Sequence, residues 1–160
     1  MSVSTARALY ATFEIENHYL GIKVLDVQEV LRQQQLTPVP LAPPVIAGLI
    51  NLRGQIIPAV DMRRLMHLAD RVEPEDTLSV VLRTENGPVS LQVDEIGDVL
   101  EIEAASVEAP PLTLEPYVRG CLSGVCQLKD RLLLVLDTGR TVDVSAAYAQ
   151  GGLETNNSTR

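Results

Sequence analysis

The sequence predicts an all-β protein built from two small antiparallel β-barrels of about five strands each. Apolar residues alternate with polar ones in short runs that are separated by turn residues, as is typical of strands with one buried face. The chain has one phenylalanine, four tyrosines and no tryptophan, so the core must be aliphatic, and its many valines favour strands. In addition, two stretches of the first half recur in the second half.

The first half is predicted to contain two hairpins joined by a proline-rich segment. Apolar and polar residues alternate over residues 9–15 and 20–24, which predicts the first hairpin. Residues 26–31 fit either a helical turn or a further strand. Segment 36–44 contains four prolines, which exclude a central strand and favour an extended crossing. Residues 48–60 then predict the second hairpin, in which Gly54 supplies the positive φ of the turn.

The second half repeats this organisation after a polar stretch, 69–76, which is interpreted as a linker. Residues 78–84 and 88–93 predict a hairpin around Asn86-Gly87, a dipeptide that favours a type I′ turn. The last hairpin joins residues 124–128 to residues 132–136.

Two windows of sequence align between the halves without gaps. Residues 22–31 match 91–100 with an offset of 69, and residues 48–61 match 124–137 with an offset of 76. Chance could explain either match alone, but two matches in the same order favour a duplication. We therefore predict an N-terminal tail at 1–8, a first barrel at 9–68, a linker at 69–76, a second barrel at 77–148 and a disordered tail at 149–160.

Charge and hydropathy exclude several classes of protein. The net charge is -8 and the basic residues are scattered, so a nucleic-acid partner is not expected. The first ten residues lack the apolar run of a signal peptide, and no apolar run is long enough to span a bilayer. The sequence therefore predicts a cytoplasmic protein without membrane insertion.

No pattern of residues indicates catalysis, a cofactor or a metal site. His18 and His67 have no Cys, Ser or second His nearby and are interpreted as surface histidines, although either could accept a phosphoryl group. The odd spacing of Cys121 and Cys126 places them on opposite faces of a strand, as structural buried thiols.

Asp61 and Asp137 close equivalent strands of the two halves. The pattern favours turn-capping carboxylates that accept backbone N–H bonds.

The segment from Gly48 to Arg63 (GLINLRGQIIPAVDMR) resembles the signature of the CheW family of chemotaxis coupling proteins. It is preceded by Val27-Gln28-Glu29-Val30 and by Pro38-Val39-Pro40, and residues 93–100 and 131–137 are also similar to the family. The resemblance covers residues 9–142, within which Gly120-Cys121-Leu122-Ser123 looks like a short insertion.

The resemblance implies two SH3-like barrels packed side by side, and it implies a non-catalytic adaptor. Members of the family dock the cytoplasmic signalling tip of a chemoreceptor, and they also dock the regulatory domain of the histidine kinase CheA. The expected location is a receptor array at the inner membrane, in flagellar chemotaxis, twitching motility or another receptor-kinase pathway. The alternative is a small β-barrel enzyme or ligand-binding module with an unrecognised site.

Six positions match receptor-facing positions of the family: Val27, Glu29, Gly48, Arg53, Leu78 and Ser90. Val27 and Leu78 would be apolar anchors for a helix in a groove, or simply core residues. Arg53 would make a forked contact to a carboxylate or to helix-end carbonyls, or would only start a turn. Gly48 would let a partner helix approach closely, and Ser90 stands where the family has glycine. The kinase-facing residues are not assigned.

Overall fold

Ten strands form the framework of the part of the chain that the computed structural model describes, residues 6–32, 34–71 and 77–143. They are β1 (Arg7–Ile15), β2 (His18–Lys23), β3 (Val27–Arg32), β4 (Ile46–Leu52), β5 (Gln55–Asp61), β6 (Leu78–Leu82), β7 (Val89–Val93), β8 (Glu95–Glu103), β9 (Leu122–Gln127) and β10 (Leu132–Leu136). The helical segments are α1 (Met62–Leu65), α2 (Pro116–Arg119), α3 (138–143, as far as it is described) and two 3-10 turns, Val24–Asp26 and Ala104–Ser106.

The strands are divided between two five-stranded sheets, which confirms the predicted all-β class and strand number. Sheet A has the order β8-β1-β2-β10-β9, and sheet B has the order β3-β6-β7-β5-β4. Neighbouring strands are antiparallel except β2 with β10 and β5 with β7, which are parallel. The prediction of purely antiparallel sheets was therefore wrong. Hairpins enforce antiparallel pairing only between the strands that they join, and these two pairs are joined by long connections.

Each sheet combines strands from both halves of the sequence. Sheet A takes β1 and β2 from the first half and β8, β9 and β10 from the second, and sheet B takes the remaining strands. The sheets therefore do not coincide with the predicted consecutive barrels, 9–68 and 77–148. The alternation of apolar residues is a local signal, so it identifies hairpins but does not reveal which sheet a later strand joins.

The exchange of strands follows a strict rule. The two sheets have the same order when each strand of the first half is matched with the strand five places later in the chain. For example, β1 is the second strand of sheet A and β6 is the second strand of sheet B, and the other four pairs correspond in the same way. This arrangement supports the duplication that the two sequence windows indicated.

The largest apolar core lies between the two sheets and is called the central core below. It includes Phe13 and Leu20 from sheet A together with Val80 and Leu91 from sheet B. Each sheet also has a smaller core on its other face, consisting of Tyr10, Ile102, Cys126, Leu133 and Val135 in sheet A and of Ile50, Ile57 and Val81 in sheet B. Most of these residues are aliphatic, as predicted.

The hairpin turns differ from expectation at one place. In the β4–β5 turn, Gly54 has φ 84° and Arg53 has φ 54°, so the predicted positive φ at Gly54 is confirmed. In the β6–β7 turn, Gly87 has φ 110° but Asn86 does not have a positive φ, which contradicts the type I′ prediction. Pro88 has no N–H to donate, so strand pairing cannot continue up to the turn as a type I′ turn requires.

Both predicted aspartate caps are confirmed. Asp61 Oδ1 accepts hydrogen bonds from the backbone N–H groups of Arg63 at 3.0 Å and Arg64 at 3.2 Å, at the start of α1. Asp137 Oδ1 accepts one from the N–H of Arg140 at 2.9 Å, at the start of α3. Within the predicted N-terminal tail, β1 already begins at Arg7. Residues 1–5, 72–76 of the linker and the whole C-terminal tail lie outside the described residues.

Candidate partner-binding site

The six predicted receptor-facing positions all lie on sheet B or its turns, but they do not form one patch. Glu29 and Arg53 are in direct contact. Val27 and Leu78 are partly buried residues of β3 and β6 that pack against the central core. The two remaining positions, Gly48 and Ser90, are buried.

Glu29 and Arg53 form a forked ion pair. Arg53 Nη1 donates to Glu29 Oε2 at 2.6 Å, and Arg53 Nη2 donates to Glu29 Oε1 at 2.9 Å. The hydrogen bonds from Arg53 lower the pKa of Glu29, and those to Glu29 raise the pKa of Arg53. The side chain of Arg53 is 72% exposed and that of Glu29 is 21% exposed. A planar, charged group therefore stands at the surface in a fixed orientation.

The ion pair joins the two outer strands of sheet B. Glu29 belongs to β3 at one edge of the sheet, and Arg53 belongs to the turn that follows β4 at the other edge. Beside it, Thr37 and Leu49 exchange two backbone hydrogen bonds, of 2.8 and 2.9 Å. These contacts link β3 and the segment that follows it to β4 and its turn, and this line of contacts is called the seam below.

Gly48 lies on the seam, and its space is filled by the chain itself. A Cβ atom at Gly48 would lie 2.7 Å from the carbonyl oxygen of Thr37. The counterpart position on sheet A, Gly124, has the same property, because a Cβ atom there would lie 2.6 Å from the carbonyl oxygen of Glu108. The close approach that the sequence analysis assigned to a partner helix is thus made by Thr37.

Ser90 is an interior residue. It is fully buried in β7 between Val81 of β6 and Ala59 of β5. Its hydroxyl accepts a hydrogen bond of 3.3 Å from Gln92 Nε2, which also donates to Ser79 Oγ at 2.7 Å. Ser90 therefore does not lie where a partner could contact it, and its sequence position alone gave no sign of this burial.

Val27 and Leu78 share one face of sheet B with Val30, which the sequence analysis did not select. A bulge between Val27 and Glu29 shifts the register of β3, so that Val27 lies opposite Leu82 and Val30 lies opposite Val80. Leu82 and Val80 belong to the central core, and Val30 is 43% exposed. The bulge therefore turns two valines, three residues apart, toward the same face.

Sheet A presents matching apolar residues beside the same central core. Val99 lies opposite Ala11, and Leu9 is two residues from Ala11 on β1, so both side chains lie on the face on which Ala11 packs against the core. Leu9 is 51% exposed and Val99 is 57% exposed.

With the offset of 69, Leu9 and Val99 correspond to Leu78 and Val30 of sheet B. Val30 aligns with Val99 in the two matching windows, so the sequence itself contained a signal for Val99. These five apolar residues, of which Leu9, Val30 and Val99 are exposed and Val27 and Leu78 are half-buried, are together called the rim below.

The histidines and cysteines are part of the packing. His67 is exposed and stacks on Tyr117, with ring centroids 3.8 Å apart. His18 is half-buried at the start of β2, so the prediction of a surface histidine was wrong for this residue. Cys121 and Cys126 are free and buried, as predicted, in the central core and the sheet A core respectively. They do not share a strand as expected, because Cys121 lies in the turn before β9. Burial raises the pKa of the Cys121 thiol to about 11.

Within the described ranges, no group of three or more His, Cys, Asp or Glu side chains could hold a metal ion. None of the helices in these ranges is long and apolar enough to cross a membrane.

Comparisons with known proteins place the chain in a family. The model of the CheW-like domain matches residues 9–145. The chemotaxis protein CheW of Treponema pallidum is 28% identical over 141 residues, which are 86% of this chain and 83% of the relative. CheW of Klebsiella aerogenes is 30% identical over 128 residues, 80% of this chain and 77% of the relative. The crystal structure of the scaffolding protein CheW from Thermoanaerobacter tengcongensis superposes with a TM-score of 0.74 at 25% identity, covering 82% of this chain and 90% of that one. The chain therefore belongs to the CheW family, whose members are non-catalytic scaffold proteins of chemotaxis.

Proposed function

We propose that this chain is an adaptor that couples the cytoplasmic tips of chemoreceptors to the histidine kinase CheA. The observation that carries the proposal is the match of the CheW-like domain over residues 9–145. An adaptor stabilises the assembly in which the kinase is active, so it requires two interfaces and no reacting groups. The proposed location is a receptor array at the inner membrane, where contacts with both partners would hold the adaptor.

Each sheet is proposed to close into an SH3-like barrel. In sheet B, the bonds between Thr37 and Leu49 link the segment after β3 to β4. In sheet A, Glu108 and Val125 exchange two backbone hydrogen bonds of 2.8 Å, which link the segment after β8 to β9 in the same way. Closure removes free sheet edges, which suits a protein that offers side chains rather than backbone to its partners.

The receptor tip is proposed to lie along the rim. A receptor tip is helical, and an amphipathic helix buries its apolar stripe in a groove lined by apolar side chains. Rim residues come from both sheets, and Val27 and Leu78 pack against the central core, so a helix docked on them would extend that core. Val30, Leu9 and Val99 join Val27 and Leu78 in this proposal, whereas Gly48 and Ser90 are given structural roles.

The forked pair at the seam is proposed to orient a second contact. Arg53 is already paired with Glu29, and the pair holds the guanidinium flat at the surface. The remaining N–H groups of Arg53 can donate to a partner carboxylate or to helix-end carbonyls without breaking the pair. Glu29 and Arg53 would then act together at the seam, and Val27 lies two residues from Glu29 on β3.

The test is co-sedimentation with receptor-bearing membranes and CheA, followed by the rate of kinase autophosphorylation. Arg53→Ala is expected to reduce receptor-dependent kinase stimulation while the melting temperature stays near that of the wild type, because Arg53 is largely exposed. The matched control is Arg131→Ala. Arg131 also pairs with a glutamate at the surface, Glu14, at 2.8 Å, but it lies in the β9–β10 turn of sheet A, which carries no rim residue. A wild-type chain that sediments with neither partner contradicts the adaptor proposal, and an Arg53→Ala chain that unfolds shows that the turn is purely structural.

A further inference from the structure

The described chain passes between the two sheets at two places. It leaves sheet A for sheet B through the 3-10 turn Val24–Asp26, and it returns from sheet B to sheet A at Asp94, the single residue between β7 and β8. Any change in the angle between the sheets must be taken up at these two crossings, because the backbone connects the sheets there.

At the second crossing, the side chain of Asp94 is held from three directions. Arg63 donates from Nε at 3.0 Å to Oδ1 and from Nη2 at 2.7 Å to Oδ2. The backbone N–H of Glu16 donates to Oδ2 at 2.7 Å. Arg71 Nε lies 2.9 Å from Oδ1. We call Asp94, Arg63 and Arg71 the crossing cluster.

The crossing cluster ties one sheet to the other. Glu16 lies in the turn between β1 and β2 of sheet A, and Arg63 lies in α1, directly after β5 of sheet B. The backbone N–H of Asp94 also donates to the carbonyl of Glu14 in β1, at 3.0 Å. The backbone N–H of Asp94 is therefore hydrogen-bonded to sheet A, and its carboxylate is hydrogen-bonded to both sheets.

The three side chains of the crossing cluster are largely shielded from solvent. The side chains of Arg63, Asp94 and Arg71 are 17%, 16% and 11% exposed. Arg71 Nε and Nη2 are buried without a hydrogen-bond partner among the described residues, so Arg71 contributes charge rather than directed bonds. A half-buried carboxylate with two guanidinium groups keeps its position, because displacing it would leave uncompensated charges in a poorly solvated place.

The first crossing is held by different bonds. Arg83 Nη1 donates to the carbonyls of Leu25 at 3.1 Å and Val27 at 2.8 Å, and Thr138 Oγ1 donates to Asp26 Oδ2 at 3.0 Å. Thr138 starts α3, which follows the last strand of sheet A. Both crossings are thus fixed by directional polar contacts, whereas the core between the sheets is aliphatic and its attraction has no preferred direction.

We propose that the crossing cluster sets the angle between the two sheets, and that Asp94, Arg63 and Arg71 are positioning residues for the rim. The rim is formed by side chains from both sheets, so a change in the angle separates or crowds its two sides without altering a contact residue. The consequence for receptor coupling rests on the proposed adaptor function, but the effect on the angle does not.

The experiment measures the distance between the sheets. Nitroxide labels are attached to cysteines introduced at the exposed positions Gln55 on sheet B and Gln127 on sheet A, and pulsed electron spin resonance gives the distance distribution. The native thiols are buried, and the chain without added cysteines checks that they stay unlabelled. Asp94→Asn is expected to broaden and shift the distribution. Asp98→Asn makes the same chemical change four residues away on the exposed part of β8, and it is expected to leave the distribution unchanged.

Two results overturn the proposal. One is a distribution in a folded Asp94→Asn chain that matches the wild type and Asp98→Asn. If Asp94→Asn does not fold, Arg63→Lys is measured instead, since it keeps the charge but loses the two-pronged contact, and an unchanged distribution there overturns the proposal equally. Receptor coupling is assayed in parallel. A shifted distance with wild-type coupling rejects the link to the rim, and a wild-type chain without coupling rejects the adaptor function while leaving the result on the angle intact.

Discussion

At the scale of single residues, the seam of sheet B and the equivalent Glu108–Val125 contact of sheet A depend on glycines that have no room for a side chain. Gly48 and Gly124 are counterparts under the offset of 76, and each is pressed against the backbone of the segment that crosses the seam. The resemblance to a known family selected Gly48 but assigned its free space to a partner. Which neighbour fills that space depends on the folded path of residue Thr37, and no local pattern specifies that path.

Gly48→Ala is expected to destabilise the fold by about 1–3 kcal/mol, the usual range for forcing extra atoms into a filled space. The added Cβ would lie 2.7 Å from a carbonyl oxygen of the backbone, which cannot rotate away as a side chain can. Gly124→Ala should behave in the same way. The measurement is urea denaturation, with Gly139→Ala as the control, because its Cβ would meet only the carboxylate of Asp137 at 3.3 Å. Equal stability of Gly48→Ala and the control would contradict the seam.

The crossing cluster should make stability depend on pH. Burial opposes ionisation of Asp94, but the hydrogen bonds from Arg63 and the Glu16 N–H, with the nearby charge of Arg71, outweigh it and lower its pKa. A carboxylate whose pKa is lowered by folding stabilises the protein above its unfolded value, ordinarily 3.8, and loses that contribution as the pH falls through the folded value.

We therefore expect the free energy of unfolding to fall more steeply for the wild type than for Asp94→Asn as the pH is lowered from about 5. Denaturation curves at successive pH values measure the two slopes. Glu29 and Asp70 also have lowered pKa values, through hydrogen bonds from Arg53 and Arg64, and their share is common to both chains. Parallel slopes would show that Asp94 is not held in its charged form by the fold.

At the scale of elements, alternation of apolar residues located the strands, and turn residues located the hairpins. Both signals come from neighbours in sequence, and this explains their success for β1–β2, β4–β5 and β9–β10. The parallel pairs β2–β10 and β5–β7 join residues that are far apart in sequence. Nothing in either strand specifies its partner, so the exchange of strands between the sheets could not be predicted.

The aspartate caps at the ends of β5 and β10 could be predicted from their position in the sequence alone. Asp61 and Asp137 were identified because they end equivalent strands, and both accept backbone N–H bonds. Glu29 and Arg53 were selected from a resemblance, yet the contact between them depends on the folded path that brings the β4–β5 turn beside β3. Their pairing is a property of the fold and not of either segment.

Asp61→Ala is expected to lower the free energy of unfolding by roughly 0.5–2 kcal/mol, the range for loss of a capping side chain. It should cost more than Asp137→Ala, since Asp61 caps two N–H groups and also lies 3.8 Å from the buried Arg71. Asp130→Ala, in the exposed β9–β10 turn, serves as the control and should change stability by less than about 0.5 kcal/mol. Thermal and urea denaturation would reveal the order, and an equal effect of all three substitutions would contradict the capping role.

At the scale of the whole molecule, the duplication and the exchange of strands have one physical consequence. Neither half can complete a sheet alone, because sheet A lacks β1 and β2 without the first half, and sheet B lacks β6 and β7 without the second. The central core is also shared between the halves. Stability should therefore be a property of the complete chain, in a single cooperative transition.

Cutting the chain between the halves tests this consequence directly. A protease site introduced within residues 72–76 of the full-length chain is expected to give two fragments that remain together in gel filtration, because each sheet still contains strands from both. After unfolding in urea and separation, neither fragment alone should show a cooperative transition, whereas mixing them should restore it, since the shared core is then rebuilt. A chain with the same insertion left uncut controls for the effect of the added residues. Two fragments that separate under native conditions, each with its own cooperative transition, would contradict the exchange of strands and would support two consecutive barrels instead.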